Sequence, residues 1–177
     1  VIEKNKNRPF FLYLGHFAPH NPLQALKEDY DHFHHLSEKD DHRIRVYSAM
    51  IKSLDRSVGK ILDALDEYNL SENTLIIFSS DNGGADYIHL SDINKPYRGW
   101  KITHFEGGLH IPFMAKWPAE IEPGTIFEHP IHQNDIFTTF AAAAGATIPN
   151  DRVIDGKNIV PFIKENKPPH ETLFWRS

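Results

Sequence analysis

The spacing of apolar and polar residues along the chain changes several times, and each change marks a predicted element. Pro9–Leu14 (PFFLYL) is apolar without alternation. Such a run is typical of a strand that is covered on both faces in a parallel sheet. Thr74–Ser80 (TLIIFSS) has the same character and predicts a second buried strand.

Between these two runs, apolar residues recur three and four positions apart from about Asp41 to Tyr68. That spacing predicts one long amphipathic helix. Asp40 or Asp41 is expected to cap its start, and Asn69 is expected to end it in a left-handed conformation. A strand, a helix and a second strand form a crossover unit, so the two strands are predicted to be parallel. The apolar face of the helix consists of Tyr47, Met50, Ile51, Leu54, Val58, Ile61, Leu62 and Leu65.

Further elements follow in the second half of the chain. His110–Trp117 and Thr172–Trp175 are strand candidates, because both are short apolar runs bounded by turn residues. Asn134–Gly145 predicts a helix of small residues that ends at its glycine, and Asp155–Ile163 predicts a turn leading into a helical turn. Strands alternating with helices predict an α/β protein with three layers and a mostly parallel sheet.

Composition and charge narrow the class of protein. The 177 residues are 40% hydrophobic and 24% charged, which is typical of a globular domain. The net charge of -5 is mild and gives no reason to expect nucleic acid or an anionic membrane as a partner. The net charge does not indicate how many copies of the chain associate. The chain has no cysteine, which excludes a disulfide, a thiolate metal site and a cysteine nucleophile within these residues.

Both ends of the chain have the pattern of positions inside a longer polypeptide. The opening VIEKNKNRPFF lacks an initiator Met and reads as a helix end leading into a strand. The closing ETLFWRS stops within or just after a predicted strand. We therefore expect residues 1–177 to be a single partial domain.

Candidate chemistry lies at the predicted strand ends. In open parallel sheets, ligands bind beyond the carboxyl ends of the strands. His20 follows the first predicted strand, Asp81 and Asn82 follow the second, and Lys101 lies in a long polar loop before the third. Loops of this length inside a compact domain are usually functional.

Asp81 and Asn82 are the candidate metal ligands. A carboxylate beside an amide supplies two hard oxygen donors, which suit Ca²⁺ or Mg²⁺. Gly83 and Gly84 allow the backbone to turn tightly after them. The Asp-Asn-Gly-Gly sequence is also good turn chemistry without a metal. Two residues cannot complete a calcium shell of ~6–8 oxygens, so further ligands must come from elsewhere.

His20 and Lys101 are the candidate catalytic and substrate-binding residues. His20 lies between two prolines, and a rigidly held histidine can act as an acid or base or donate to an anionic oxygen. The alternative is a loop histidine whose ring bonds a backbone carbonyl. Lys101 can offset charge on an anionic substrate, whereas most surface lysines have no such role.

The order and spacing of these segments closely resemble the sulfatase family. The resemblance runs from about Arg8 to Ala146 and is nearest to arylsulfatases and polysaccharide sulfatases of the arylsulfatase B kind. It rests on three segments: PFFLYLGHFAPHNPLQ, the S-x-D-x-x-V-G-x-I pattern leading to IIFSSDNGG, and R-G-x-K-x-x-x-x-E-G-G. The last two motifs are highly specific for that family.

The resemblance implies an alkaline-phosphatase-like α/β fold and a role for each candidate residue. Asp81 and Asn82 match the family's pair that binds a divalent cation, usually calcium. Lys101 matches the lysine that contacts the sulfate group, and His20 matches the histidine that contacts sulfate or the leaving-group oxygen. The implied substrates are sulfated carbohydrates or aryl sulfates. The implied location is secreted, periplasmic or lysosomal.

The chain also departs from the family pattern. The family's nucleophile is a formylglycine made from Cys or Ser in a C/S-x-P-x-R motif, and these residues contain no such motif. The acidic pair that completes the metal shell is expected in the same missing segment. His110 stands where many relatives carry Arg. We therefore expect the second half of a sulfatase catalytic domain, which does not hydrolyse sulfate esters by itself.

Three other interpretations remain open at the level of sequence. One is a related hydrolase of phosphate monoesters or phosphonates, which shares the metal-and-strand arrangement. Another is a non-catalytic, sulfatase-derived protein that binds a sulfated glycan or a partner. The last is a purely structural fragment, whose uncovered sheet faces would favour association.

Overall fold

The computed structural model describes residues 1–36, 42–90 and 92–175. The chain forms two compact units, each built from two separate segments. The first unit comprises Val1–Asn69 and Ser80–Pro112, and the second comprises Leu70–Ser79 and Phe113–Ser177. None of the helices in the described ranges is long and apolar enough to cross a membrane.

The elements of the two units are as follows. The first unit contains α1 (Ile2–Asn5), α2 (Lys27–His32), α3 (His42–Glu67), a 3₁₀ turn (Asp86–Ile88) and α4 (Glu106–Leu109). The second contains a 3₁₀ turn (Ser71–Asn73), β1 (Ile76–Ser79), β2 (Phe113–Lys116), α5 (Asn134–Ala143) and α6 (Val160–Glu165).

The long helix α3 organises the first unit, as the apolar spacing predicts. Both α1 and α2 contact it. Asn69 follows its end with a φ of 57°, which confirms the predicted left-handed stop. The predicted capping residues Asp40 and Asp41 lie outside the described residues.

The buried face of α3 differs in part from the predicted one. Met50 and Leu65 are buried as expected, and Val46 and Ala49 are buried with them. Ile51 is 41% exposed, so its assignment to the core is wrong.

An ion pair joins α2 to α3. Arg56 donates from both terminal nitrogens to the two carboxylate oxygens of Asp29, at 2.6 and 2.7 Å. The Asp29 side chain is buried, whereas that of Arg56 is 37% exposed. The hydrogen bonds from Arg56 hold the pKa of Asp29 below its ordinary value, against the opposing effect of burial.

The predicted first strand does not form. Pro9–Leu14 is in no ladder with any strand of the described residues, and Tyr13 is 80% exposed. A strand in a parallel sheet needs a neighbouring strand, and the sheet formed by the described residues contains only β1 and β2. The sequence pattern predicted the apolar character of this segment but could not supply its partner.

The second unit contains the only sheet among the described residues. β1 and β2 pair antiparallel, with Ile76 opposite Lys116 and Ser79 opposite Phe113. The predicted strands at Thr74–Ser80 and His110–Trp117 therefore form, with shorter bounds. Two predictions are wrong within the described residues. Pro9–Leu14 does not pair in parallel with Thr74–Ser80, and Thr172–Trp175 does not form a strand, because neither Pro9–Leu14 nor Thr172–Trp175 has a ladder partner there.

The predicted helices α5 and α6 are both confirmed, and a buried carboxylate fixes the segments around them. Asp135, in the first turn of α5, accepts hydrogen bonds from the backbone amides of His132 and Lys157, each at 2.7 Å. The His170 ring nitrogen Nε2 lies 2.8 Å from the same carboxylate. This one side chain therefore ties three separate stretches of the second unit together.

Candidate functional site

The turn that follows β1 presents the candidate metal ligands. Asp81 is exposed and Asn82 is half-buried. The Asn82 amide donates from Nδ2 to the Gly83 carbonyl at 3.0 Å, and the Ser80 hydroxyl donates to the Asn82 carbonyl at 2.8 Å. Because Nδ2 is engaged with the backbone, the Asn82 Oδ1 atom is the part of the amide left to face a ligand. A carboxylate and an oriented amide oxygen fit a hard divalent cation.

Gly83 brings this turn against the segment that carries α4. Its amide donates to the Gly108 carbonyl at 3.1 Å. A Cβ atom at position 83 would lie 1.8 Å from the Gly107 carbonyl oxygen. A side chain therefore cannot occupy this position without moving the backbone, which explains why the turn needs glycine there.

Residues 98–105, here called the Lys101 loop, are hydrogen-bonded directly to the same turn. The Lys101 amide donates to the Gly84 carbonyl at 3.1 Å. Lys101 lies at the tip of a tight turn that closes when the Thr103 amide donates to the Trp100 carbonyl at 2.9 Å. Ile102, also at the tip, has a φ of 84°, a conformation that is costly for a β-branched residue. Strain of this kind is concentrated at functional sites.

His20 is positioned by one backbone group and one phenol. Its Nδ1 lies 2.8 Å from the Asn21 carbonyl, so Nδ1 carries the proton that this contact requires. Its Nε2 lies 3.5 Å from the Tyr87 hydroxyl, in the 3₁₀ turn that follows Gly84. The residue as a whole is exposed.

The structure thus connects the three predicted parts of the site within the first unit. Lys101 is joined to the Asp81–Asn82 turn through Gly84, and His20 is joined to the next turn of the same segment through Tyr87. No group of three or more His, Cys, Asp or Glu suited to a metal occurs in the described part of the chain. The assignment of Asp81 and Asn82 as metal ligands stays a prediction.

His110 has a partner of its own at the position where many relatives carry Arg. Its ring stacks on Tyr97 with centroids 4.3 Å apart. Its Nδ1 lies 3.6 Å from a carboxylate oxygen of Glu106. The neighbouring Arg98 places its guanidinium over the Phe105 ring, 4.1 Å from the centroid. The end of the Lys101 loop is therefore held by aromatic contacts.

Sequence reasoning does not single out two residues that the structure places in this region. Tyr87 contacts His20, and Asn94 hydrogen-bonds both Gly84 and Gly99. The available signal for Asn94 is its place at the start of an Asn-Lys-Pro turn inside a long loop. Tyr87 carries no such signal, because an isolated tyrosine in a polar loop is common.

The structure thus places two candidate oxygen donors at a strand end, with a lysine on a hydrogen-bonded loop and a histidine beside the next turn. Comparison with protein families gives the particular class. Residues 1–146 match the family model described as Sulfatase. The chain belongs to the sulfatase family.

Curated relatives match nearly the whole chain. Steryl-sulfatase of Homo sapiens is 35% identical, with 98% of this chain and 30% of that protein covered. N-acetylgalactosamine-6-sulfatase of Homo sapiens is 34% identical, with 99% of this chain and 32% of that protein covered. The chain therefore spans about a third of the length of these relatives.

A solved structure shows the same fold over most of the chain. The crystal structure of Ps i-CgsB in complex with k-i-k-neocarrahexaose superposes with a TM-score of 0.87 at 39% identity. It covers 96% of this chain, which covers 37% of that one. The chain thus has the fold of part of a sulfatase, of the alkaline-phosphatase-like type.

Proposed function

We propose that this chain is part of the catalytic domain of a sulfuric ester hydrolase. In this proposal Asp81 and Asn82 contribute to a divalent-metal site, and His20 and Lys101 contact the sulfate group. The nucleophile, a formylglycine, and the remaining metal ligands come from outside these 177 residues. The rest of the protein also completes the mostly parallel sheet of the three-layer sandwich.

The observation that carries the proposal is the hydrogen bond from the Lys101 amide to the Gly84 carbonyl at 3.1 Å. It ties the backbone at a cationic residue to the segment that bears the two candidate oxygen ligands. A bound Ca²⁺ or Mg²⁺ would stabilise negative charge on the sulfate oxygens. Lys101 adds a second positive charge for the oxygen that becomes negative as the S–O bond breaks.

His20 is suited to the leaving-group side of the reaction. The Asn21 carbonyl accepts from Nδ1 and so keeps a proton on that nitrogen. When the ring is protonated, Nε2–H can donate to a sulfate oxygen or to the departing oxygen. The same bond fixes the orientation of the ring, which an acid catalyst requires.

We propose a sulfated carbohydrate as the substrate. The solved relative contains a neocarrahexaose, and one curated relative is an N-acetylgalactosamine-6-sulfatase. A carbohydrate substrate also agrees with exposed aromatic side chains beside Lys101, since Trp100 is 44% and Phe105 is 46% exposed. A secreted, periplasmic or lysosomal location follows from the same family argument.

The test uses the native polypeptide that contains this chain. Lys101→Ala and Asp81→Ala should each lower kcat/KM for a nitrophenyl sulfate by 100-fold or more, on the order of losing one charge-stabilising group. Lys60→Ala and Asp63→Ala, at exposed positions of α3, are the matched controls and should retain activity. Full activity in Asp81→Ala would refute the assigned metal site.

The same assay separates the competing functions. Faster turnover of a phosphate monoester than of the sulfate ester would favour the related phosphate or phosphonate hydrolase. Binding of sulfated sugars with no turnover of either ester would favour a non-catalytic protein. The isolated 177-residue chain should turn over neither ester, and activity of that chain that disappears in Asp81→Ala would contradict our account of the missing nucleophile.

A further inference from the structure

The side chain of Asn94 links the two halves of the candidate site. Its Oδ1 accepts from the Gly84 amide at 2.7 Å, and its Nδ2 donates to the Gly84 carbonyl at 2.9 Å. Nδ2 also donates to the Gly99 carbonyl at 3.0 Å. Both N–H groups and the oxygen of this one amide are therefore used, and the residue is half-buried.

These contacts link Asn94 to two segments, one that carries the candidate metal ligands and one that carries Lys101. Gly84 lies two positions after Asn82, and its carbonyl also accepts from the Lys101 amide at 3.1 Å. Gly99 lies two positions before Lys101 and has a φ of 90°. Asn94 thus holds the end of the metal-ligand turn and the start of the Lys101 loop with the same group.

Only a carboxamide supplies this set of contacts at this length. Aspartate has the shape and the acceptor but no N–H, and it would place a carboxylate against two carbonyl oxygens. Alanine removes all three contacts and leaves the Gly84 amide without this acceptor. Glutamine has the same groups on a side chain that is one methylene longer, so the amide would have to shift to make the same three contacts.

We propose that Asn94 is a positioning residue, which sets the place of Lys101 relative to the Asp81–Asn82 turn. The inference rests on the proposed function, because its catalytic consequence requires that Lys101 contact the sulfate. Asn94 touches no reacting atom in this account. It acts through the Gly84 and Gly99 carbonyls, as residues behind metal ligands commonly do.

The catalytic test is a double-mutant cycle in the native polypeptide. Asn94→Ala should lower kcat/KM for a nitrophenyl sulfate by about 10- to 100-fold, the usual effect of losing such a supporting residue. Combined with Lys101→Ala, it should add less than about threefold to the loss from Lys101→Ala alone, because residues acting through one another are not additive. Losses that multiply would overturn the inference, since they would show that Asn94 acts independently of Lys101.

A second variant and a control guard against a general loss of folding. Asn94→Asp keeps the acceptor for the Gly84 amide and removes both donors, so it should lose as much activity as Asn94→Ala. Asn158→Ala is the matched control, because this asparagine of the second unit is also half-buried and its Oδ1 accepts from the nearby Val160 amide at 3.2 Å, away from the candidate site. It should retain activity. Wild-type activity in Asn94→Asp would overturn the inference.

Hydrogen exchange separates this inference from the proposed function. In Asn94→Ala, exchange at the Gly84 and Lys101 amides should become at least tenfold faster, because the bond from Asn94 to the Gly84 amide is lost and the Lys101 loop is released. Unchanged exchange at both amides would overturn the inference whatever the activity. Faster exchange in a protein that hydrolyses no sulfate ester would support the linkage while the proposed function fails.

Discussion

At the scale of the residue, Ile102 is the clearest departure from what its own side chain prefers. It adopts a φ of 84° and is 83% exposed, so neither its backbone nor its side chain gains from the conformation. The neighbouring turn from Trp100 to Thr103 imposes the angle. The strained residue is the one next to Lys101, and backbone strain of this kind is concentrated at functional sites, where one loop conformation must be kept.

Ile102→Gly should stabilise the protein. The substitution removes the strain of a left-handed backbone conformation, which is worth roughly 1–2 kcal/mol. It also raises the conformational entropy of the unfolded chain, which lowers the stability by about 0.4–1 kcal/mol. The free energy of unfolding should therefore rise by about 0.5–1 kcal/mol. Ile126→Gly is the matched control, because Ile126 is equally exposed, at 83%, without a positive φ. Thermal unfolding should show a higher Tm for Ile102→Gly and a lower one for Ile126→Gly. Equal losses in both would show that Ile102 is not strained.

Gly83→Ala should have the opposite effect, because of its close approach to Gly107. The new methyl group would need a backbone shift, at a cost of about 1–3 kcal/mol. Gly59→Ala is the control, since nothing lies within 4 Å of a Cβ there and alanine favours the interior of α3 by about 0.5–1 kcal/mol. Urea unfolding of the pair should therefore move in opposite directions. A Gly83→Ala protein as stable as wild type would contradict the described approach.

At the scale of the element, the helices show what periodicity can predict. The three-and-four spacing identified α3, and Asn69 correctly marked its end, because both signals are local to the chain. α5 was predicted from its small residues and its terminal glycine, and α6 from the turn that precedes it, which are also local signals. Pro9–Leu14 was wrong as a strand because an apolar run records burial and not the partner that must pair with it.

In the candidate site too, some residues are indicated by the sequence alone, whereas others are recognised only from contacts in the folded chain. Asp81, Asn82, His20 and Lys101 stood out because their residue types and their places in the chain indicate chemistry. Their roles stay predictions. Asn94 did not stand out, because its importance depends on contacts with Gly84 and Gly99, at separations of ten and five residues. Such contacts become visible only when the loop is folded.

The ion pair between α2 and α3 should make stability depend on pH. The pKa of Asp29 is lowered in the folded protein, chiefly by its hydrogen bonds from Arg56. A lowered pKa means that the pair stabilises the protein fully above the unfolded-state value of about 3.9, and that this contribution is lost as the pH falls through the folded-state value.

Asp29→Asn should therefore lower Tm by several degrees at pH 7, because the charged pair is lost. The difference from wild type should shrink as the pH falls below about 4, because Asp29 then takes up a proton in the unfolded chain while it stays charged in the folded protein until a lower pH. Asp63→Asn, at an exposed position of α3, is the control and should change Tm little. A constant difference between pH 7 and pH 3 would contradict the lowered pKa.

At the scale of the whole molecule, the apolar segment Pro9–Leu14 should govern association of the isolated chain. Phe11 is 70% and Tyr13 is 80% exposed, in a segment without a ladder partner among the described residues. Exposed apolar segments favour association between chains. In the native polypeptide we expect the remainder of the catalytic domain to cover this segment.

Tyr13→Lys should reduce self-association of the isolated 177-residue chain, because a charge disfavours edge pairing. Sedimentation velocity should show a higher monomer fraction for this variant than for wild type. Ile126→Lys adds the same charge at a single exposed residue and should leave the monomer fraction closer to wild type. An equal effect of both substitutions would mean that net charge alone controls association.

The pairing of β1 with β2 also bears on how this molecule could be varied. Ser79 and Phe113 are opposite each other on the ladder, so residues 80–112 leave and rejoin the same end of one hairpin. The entropy of closing such an excursion grows only slowly with its length, by about 0.6 kcal/mol per doubling. We therefore expect that lengthening or shortening an exposed loop within residues 80–112 changes the free energy of closing this excursion only slightly.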